Sequence, residues 1–217
     1  MKTMYYSEKT AARVMNAMFN SNKNDTRLLI HHAWIDGKGR QCACDGHRAY
    51  RLNRPVAGVP DMDPANGIDL EKIFPSAAVF AEYSALELPT LDDVKTMIAE
   101  DNERQKGTAP KRREYIYTFG MDEQGRQLPA VNLKYLADMM AMYPDAVAYC
   151  KPGHIGTIYF KAQEGDGLIC GMRAMTPEKA QQYQIRRRPA PKQDKPEKGL
   201  PVYGLRTFLA LAAAANA

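Results

Sequence analysis

Long apolar runs are missing from this chain of 217 residues. Because no stretch of about 18 consecutive apolar residues occurs, the sequence predicts no membrane-spanning helix. The first residues also lack the apolar core of a secretory signal. The four cysteines are too unevenly spaced to indicate a disulfide framework. These absences predict a protein of the reducing cytoplasm that makes no contact with a membrane.

Sequence motifs for nucleotide binding or covalent catalysis are missing as well. The chain has no Walker A or Gly-x-Gly-x-x-Gly sequence and no Gly-x-Ser-x-Gly nucleophile turn. Asp45 and His47 suggest acid–base or nuclease chemistry, but no paired carboxylates with a defined spacing accompany them. An Asp-Gly-His turn closed by a side-chain hydrogen bond explains these residues as well. We therefore predict a protein that is not an enzyme and needs no cofactor, with a metal-dependent nuclease as an alternative.

A zinc site at Cys42 and Cys44 is the one metal site that the sequence suggests. The two cysteines alternate on a predicted strand and so face the same side of it, with His31, His32 and His47 nearby in sequence. A Cys-x-x-Cys pair and a second ligand cluster are lacking, and buried cysteines commonly fill protein cores. The sequence therefore predicts no metal site.

The charge of the chain is unevenly distributed. The formal net charge is +5, yet residues 1–175 carry 22 basic and 22 acidic side chains. Residues 176–217 carry 8 basic and 3 acidic side chains, so the whole excess lies there. Residues 55–105 are acidic, with 3 basic and 11 acidic side chains. This pattern excludes a uniformly basic body and predicts a basic surface beside an acidic one.

Apolar periodicity and turn residues predict the same order of elements twice. In the first half, Ser7 is expected to cap a helix over 8–20. In the second half, Asn132 is expected to cap a helix over 133–143. Strands are predicted at 3–6, 27–35, 41–44 and 49–52, and again at 115–119, 146–151, 157–162 and 168–173. The sequence therefore predicts an α+β fold built from two β-α-β-β-β units.

The two units are expected to form one domain over residues 1–175. They span about 1–56 and 114–175, and an acidic segment over 57–113 connects them. Within that segment, Thr90 is expected to cap a helix over 91–105. A turn is predicted at 164–167. The tail over 176–217 is rich in Pro, Lys, Arg and Gln, and its composition predicts a basic, disordered tail.

Three short segments resemble sequences of the beta sliding clamp of bacterial DNA polymerase III. Residues 44–49, Cys-Asp-Gly-His-Arg-Ala, are similar to the family's Asp-Gly-His-Arg-Leu between two strands. Residues 131–138, Val-Asn-Leu-Lys-Tyr-Leu-Ala-Asp, resemble its Phe-Asn-x-x-Tyr-Leu-x-Asp helix start, and residues 168–173, Leu-Ile-Cys-Gly-Met-Arg, resemble its closing strand Val-Met-Pro-Met-Arg. The resemblance implies a clamp shortened to one domain. Because clamps of the family carry several such domains per chain, a ring around DNA would need several copies of this chain.

The resemblance implies that helices line the inside of such a ring and face duplex DNA. Contacts of this kind go to phosphates and are independent of base sequence. The DNA-facing candidates on and beside the two helices are Lys9, Arg13, Asn16, Asn20, Lys23 and Lys134. Ordinary solvated helix faces are the alternative, because each helix carries only one or two basic residues.

The resemblance also implies a groove that binds short linear peptides of DNA polymerases and other partners. Carried over position by position, its residues are Gly46, His47, Arg48, Ala49, Cys170, Gly171, Met172 and Arg173. Methionine suits a surface that adapts to several peptides. Gly171 in place of Pro and Ala49 in place of Leu predict a shallower and less rigid groove. The alternative places Cys170 and Met172 in the core, as residues of a closing strand.

The tail suggests either loose nucleic-acid binding through Arg186, Arg187 and Arg188, or an apolar docking motif formed by Leu205, Phe208 and Leu209. A tail that only aids solubility is the alternative. We predict a sliding-clamp-like protein, expected in a phage or mobile element. It would bind duplex DNA, tether DNA polymerase or other clamp-binding proteins, or do both, as a homo-oligomer where a ring forms. The alternative is a non-encircling protein-interaction module, such as a decoy or regulator of a host clamp or polymerase.

Overall fold

The structure, a computed structural model, describes residues 6–21, 25–76, 80, 82–109, 113–151 and 156–172. Most of the strand predicted at 3–6 lies outside these ranges, as does the predicted tail. Among the candidate site residues, those outside the described residues are Lys23, Arg173, Arg186, Arg187, Arg188, Leu205, Phe208 and Leu209.

A seven-stranded antiparallel sheet forms the centre of the fold. Its strands are β1 (Trp34–Ile35), β2 (Gln41–Cys44), β3 (Arg48–Leu52), β4 (Ser84–Leu86), β7 (Val147–Cys150), β8 (Ile158–Ala162) and β9 (Gly165–Ile169). They lie in the order β1-β2-β3-β9-β8-β7-β4. Strands β5 (Ile116–Thr118) and β6 (Ala130–Asn132) form a separate antiparallel pair. The two halves of the chain are joined in the large sheet where β3 pairs with β9.

Three α-helices of ten or more residues lie within the described part of the chain, and each begins at a side-chain cap. They are α1 (Glu8–Ser21), α2 (Leu91–Arg104) and α3 (Leu133–Met142). Ser7 Oγ accepts the Thr10 N–H at 3.4 Å, and Asn132 Oδ1 accepts the Lys134 N–H at 2.9 Å. Thr90 and Asp93 form a reciprocal capping box at the start of α2. The predicted helices over 8–20, 91–105 and 133–143 are thereby confirmed. No helix among the described residues has the length and apolar character needed to cross a membrane.

The order of elements repeats between the halves. Helix α1 is followed by the antiparallel strands β1, β2 and β3, and α3 is followed by β7, β8 and β9. The predicted α+β class is confirmed. Strand β5, which was expected to begin the second unit, pairs with β6 and not with the seven-stranded sheet.

Two apolar clusters lie on the two faces of the sheet. On the first face, Tyr50 and Leu52 of β3 pack with apolar side chains of α1 and α3. Ala49, which comes directly before Tyr50 in β3, belongs to a second cluster with Trp34 on the opposite face. The acidic connecting segment contributes Leu70 and Phe74 to this second cluster. Three-residue 3₁₀ helices lie at Leu28–Ile30, Pro64–Asn66 and Leu70–Lys72. The connecting segment therefore covers part of the sheet face opposite the helices.

Ionic contacts hold the connecting segment on this face. Arg51 of β3 donates to Glu71 at 3.0 Å and to Asp166 of β9 at 2.5 Å. Its guanidinium carbon also lies 4.3 Å from the centre of the Phe74 ring. Arg40 contacts the same Glu71 carboxylate. The acidic character of this segment therefore serves, in part, to pair it with basic side chains of the sheet.

The strand predictions at 27–35 and 168–173 were wrong in extent. Residues 28–30 form a 3₁₀ helix and the strand begins only at Trp34, because the Leu28 carbonyl accepts the His31 N–H at 3.0 Å. The turn predicted at 164–167 was also misplaced, since β9 begins at Gly165 and ends at Ile169. A Cβ at Gly165 would lie 2.2 Å from the Arg51 carbonyl oxygen, so glycine here permits strand contact and does not mark a turn.

Candidate functional site

The three segments that resemble the clamp family meet at one end of the sheet. The Arg48 side chain, at the start of β3, donates to Asp138 of α3 at 2.5 Å. The Cys170 N–H, just after β9, donates to the His47 carbonyl at 2.7 Å. The Met172 N–H donates to the Ala130 carbonyl of β6 at 2.8 Å. We call the surface formed here by Gly46, His47, Tyr135, Asp138, Cys170 and Met172 the junction surface.

The turn between β2 and β3 is fixed by a single carboxylate. Asp45 Oδ1 accepts the main-chain N–H groups of His47 and Arg48, both at 2.9 Å. Asp45 Oδ2 accepts Arg48 Nε at 3.0 Å. Gly46, which lies between Asp45 and His47, has φ +83°, a conformation that glycine adopts without strain. The Asp-Gly-His-Arg sequence is therefore a closed turn, in agreement with the hydrogen-bonded turn considered from the sequence.

The same pattern of hydrogen bonds recurs in two other hairpin turns. Asp36 accepts the N–H groups of Lys38 and Arg40, and also the Arg40 Nε at 2.8 Å. Asp122 accepts the Arg126 N–H at 2.8 Å and the Arg126 Nε at 2.7 Å. In each turn an aspartate binds main-chain groups and the arginine that follows it. This recurrence indicates that Asp45 and Arg48 have a structural role in their turn.

Arg48 is buried and is held by groups from both halves of the chain. Its residue exposure is 4%, and its guanidinium carbon lies 4.5 Å from the centre of the Tyr135 ring. Although burial opposes the charge, Tyr50 and the carboxylates of Asp45 and Asp138 raise the pKa of Arg48 above its ordinary value. The side chain is therefore a permanent cation that joins the β2–β3 turn to α3.

The predicted groove residues divide into an exposed and a buried group. Gly46, His47 and Cys170 are exposed, and Gly171 and Met172 are half-buried. Arg48 is enclosed in its ion pairs, and Ala49 is 1% exposed in the second apolar cluster. In this conformation a partner can reach Gly46, His47, Cys170, Gly171 and Met172, whereas the side chains of Arg48 and Ala49 are inaccessible to it.

An aromatic pair gives the junction surface its shape. The His47 ring stacks on the Tyr135 ring, with centroids 6.0 Å apart and an angle of 20° between the planes. Tyr135 and Asp138 belong to the helix start that resembles the family, but the sequence did not indicate that they form part of a site. The short sequence pattern shows where α3 begins, whereas the contacts with the turn depend on the tertiary fold.

Gly171 lies where two chain segments approach closely. Its N–H donates to the Gly156 carbonyl at 3.0 Å, and a Cβ at this position would lie 2.1 Å from that oxygen. The position therefore requires a residue with an N–H and without a side chain, which excludes the proline of the family. The sequence predicted that Gly171 would loosen this segment, but the hydrogen bonds at Gly171 and Met172 hold it in place.

Two thiols flank the turn of the junction surface. Cys44 Sγ accepts the Gly46 N–H at 3.3 Å, and Cys170 Sγ lies 4.0 Å from the Gly46 carbonyl oxygen. Burial raises the pKa of both thiols, although Cys170 is an exposed residue. At neutral pH both side chains are therefore uncharged and contribute a polarisable, weakly polar surface.

The conceivable zinc ligands do not come together. His31 Nδ1 and Nε2 lie 3.3 Å and 2.5 Å from the carbonyl oxygens of Phe19 and Asp25, and His32 Nδ1 lies 3.1 Å from that of Leu28. Among the described residues, no group of three or more His, Cys, Asp or Glu side chains is arranged to hold a metal ion.

The predicted DNA-facing residues that the structure describes lie on two helices that pack against each other, α1 and α3. Lys9, Arg13 and Asn20 of α1 are exposed. Asn16 is half-buried, and its amide donates to the Gly58 carbonyl at 2.8 Å, so it holds a loop of the connecting segment. Lys134 of α3 is exposed, with its ammonium 3.8 Å from the centre of the Tyr115 ring.

The helices as a group are not basic. Helix α2 packs against α3 and carries most of the acidic side chains. The basic side chains on the three helices are Lys9, Arg13, Lys95, Arg104 and Lys134, and the acidic ones are Glu8, Asp92, Asp93, Glu100, Asp101, Glu103 and Asp138. Lys9 and Arg13 of α1 and Lys134 of α3 form no ion pair within the described part of the chain, so two of these three unpaired positive charges lie on α1.

Comparisons with models of protein families, with curated proteins and with solved structures gave no match.

Proposed function

We propose that this chain is a non-catalytic, clamp-like protein that tethers replication proteins, binding partner peptides at the junction surface and duplex DNA along the helices. The observation that supports the proposal is the contact between the three family-like segments. The β2–β3 turn, the start of α3 and the exit of β9 are distant in sequence and adjacent in space. A shared surface of this kind is what a function common to the three segments would need.

The junction surface suits an adaptable peptide-binding role. Cys170 and Met172 present polarisable sulfur atoms, and His47 presents a ring backed by Tyr135. The Arg48–Asp138 ion pair holds the turn, so that partner binding requires little ordering of the main chain. Partner peptides of DNA polymerases or other clamp-binding proteins would place apolar side chains against these groups.

Capture of replication proteins tests the peptide part of the proposal. A DNA polymerase or a host clamp is offered to the immobilised full chain, and we expect capture that Met172→Asp abolishes. Met121→Asp is the matched control, because Met121 is 62% exposed in a hairpin turn and lies outside the junction surface. Equal capture by the wild type and Met172→Asp would contradict a role for the junction surface.

The DNA part of the proposal depends on Lys9, Arg13 and Lys134. Contacts of these side chains with phosphates would be salt-sensitive and independent of base sequence. Encirclement would require a homo-oligomer, so the molar mass in solution is measured with and without a duplex while the salt concentration is varied. We expect duplex binding at low salt by an oligomer. A strict monomer without affinity for DNA at low salt would contradict encirclement.

A non-encircling interaction module, such as a decoy or regulator of a clamp or polymerase, is the second candidate function. The observation that favours it is the excess of acidic over basic side chains on the three helices. A helix surface of this composition repels phosphates except near α1. This candidate predicts capture of polymerase or clamp without duplex binding, and the two experiments above therefore distinguish it from the DNA-binding version.

A further inference from the structure

The two edges of the seven-stranded sheet are covered differently. Next to β1, the Ala33 N–H donates to the Pro60 carbonyl at 2.7 Å, and the Met62 N–H donates to the Ala33 carbonyl at 2.8 Å. The connecting segment therefore closes that edge. Strand β4 forms the other edge, where β7 is its one partner among the residues that the structure describes, and its residues Ser84 and Ala85 are exposed. Within the described residues, β4 is the open edge of the sheet, where unpaired main-chain groups can accept another strand.

The sheet surface beside this edge is apolar and aromatic. Ala85 lies opposite Tyr149 of β7, and Tyr149 lies opposite Tyr159 of β8. Val147, on the same face as Tyr149, is 45% exposed. The Tyr149 ring already packs edge-to-face against Phe80, with ring centroids 5.4 Å apart. Because the Ala85 side chain is small, a large side chain on an added strand could lie beside it at the margin of this aromatic group. The edge therefore fits an extended segment with an apolar side chain at this position.

The two ends of β4 carry negative charge. Glu82 precedes the strand and Glu87 follows it, and both are exposed. Glu82 pairs with Lys151 at 2.9 Å, whereas Glu87 has no ion pair within the described part of the chain. Two copies of β4 paired antiparallel about Ala85 would place Glu87 opposite Tyr83 and Glu82 opposite Leu88, so a second copy supplies no positive charge to Glu87. A strand with basic ends would complement the charge.

We propose that the β4 edge binds an extended segment of a partner protein, which adds a strand to the sheet. The added strand places a large apolar side chain beside Ala85 and basic side chains near Glu82 and Glu87. Main-chain hydrogen bonds supply affinity in this mode of recognition, and the side chains supply specificity. The surface is separate from the junction surface and does not depend on the clamp-like function.

Peptide binding to the full chain tests this proposal. The probe is a fluorescein-labelled peptide of alternating threonine and valine around a central phenylalanine, with lysine at each end. The matched peptide has glutamate at each end. We expect fluorescence anisotropy to show about tenfold tighter binding of the lysine peptide. Glu87→Lys should reduce or reverse this preference, whereas Glu123→Lys, the same charge change at an exposed hairpin turn, should leave it unchanged.

A main-chain variant tests the strand addition itself. Ala85→Pro should weaken binding of the lysine peptide about tenfold, because proline removes an N–H and cannot continue the ladder. Thermal unfolding of this variant shows whether the sheet survives, and Glu87→Lys provides the test if it does not. Equal affinity for the two peptides, no binding of either at about millimolar concentration, or an unchanged preference in Glu87→Lys would overturn the proposal. A homodimer that Ala85→Pro disrupts would also overturn it, in favour of a second copy as the occupant.

Discussion

Replacement of Arg48 by methionine tests how the junction surface is held together. Methionine has a similar length but carries no charge, so it removes both ion pairs and the contact of the guanidinium with the Tyr135 ring. In the wild type, Arg48 donates to Asp45 at 3.0 Å and to Asp138 at 2.5 Å. The variant leaves the Asp45 carboxylate, whose side chain is 2% exposed, without its cation. We expect a less stable protein in which the β2–β3 turn and α3 are no longer joined.

The expected loss of stability depends on how deeply the carboxylates of Asp45 and Asp138 are buried. Removal of one partner from a buried ion pair destabilises a protein by about 3–5 kcal/mol, because the other charge remains buried. Asp45 keeps two main-chain N–H donors, so we expect about 3 kcal/mol, at the lower end of this range. Asp138 is 35% exposed, and Asp138→Asn should therefore reduce stability by only about 1 kcal/mol. The double variant should lose less than the sum, since both changes remove the same contact.

Urea unfolding followed by tryptophan fluorescence measures these changes. Trp34 is the single tryptophan of the chain and is buried in the second apolar cluster, so its emission reports the loss of the whole sheet. Arg54→Met is the control, because Arg54 is 59% exposed and its ion-pair distances are 3.7 Å. The control should remain within about 0.5 kcal/mol of the wild type. If Arg48→Met also remains within that range, the ion pair does not hold the turn and the reasoning is refuted.

Three further predictions concern a thiol, a glycine and a carboxylate. A thiol-reactive disulfide reagent at pH 8 should modify the exposed Cys170 before Cys42, because Cys42 is buried and burial raises its pKa to about 12. Modification of Cys42 in the folded protein as fast as that of Cys170 would contradict this prediction. Gly167→Ala should lower the unfolding free energy by about 1–3 kcal/mol, because the added Cβ would lie 2.2 Å from Sδ of the buried Met139. An unchanged urea midpoint would contradict this prediction and show that Met139 can move aside at no cost in stability. Hydrogen bonds from Arg27 lower the pKa of Asp25 to about 2. The contribution of the Asp25 carboxylate to stability should therefore be present above about pH 4 and disappear as the pH falls through about 2. A carboxyl titration by NMR with a midpoint near 3.8 would contradict it.

Local signals in the sequence sufficed for the helices. The three predicted helices agree with the structure to within one residue at each end. Their caps, Ser7, Thr90 and Asn132, bind N–H groups two or three residues ahead, so the information lies within one turn of the chain. Hairpin strands next to clear turns, such as β2 and β3, were predictable for the same reason.

Contacts between distant residues limited the rest of the prediction. Strands β4 and β6 have three residues each, which is too short for an alternating pattern to be recognised. The Arg48–Asp138 pair joins residues 90 positions apart, and neither residue has a local pattern that indicates its partner. The junction surface could therefore be predicted only in its parts. Likewise, β-forming composition over 27–35 favoured a strand, whereas main-chain and imidazole contacts with nearby carbonyls give a 3₁₀ turn.

Helix α3 contributes to both proposed binding surfaces, and substitutions on it can separate them. Lys134 faces the Tyr115 ring and makes no contact with the β2–β3 turn, whereas Asp138 binds Arg48 of that turn. Lys134→Ala should therefore weaken duplex binding and lower the slope of log affinity against log salt by about one, with peptide capture unchanged. Asp138→Asn should weaken peptide capture by loosening the turn while the salt dependence of duplex binding stays the same. If each variant instead impairs both activities equally, a single surface serves both partners, because no independent pair of sites can respond in that way.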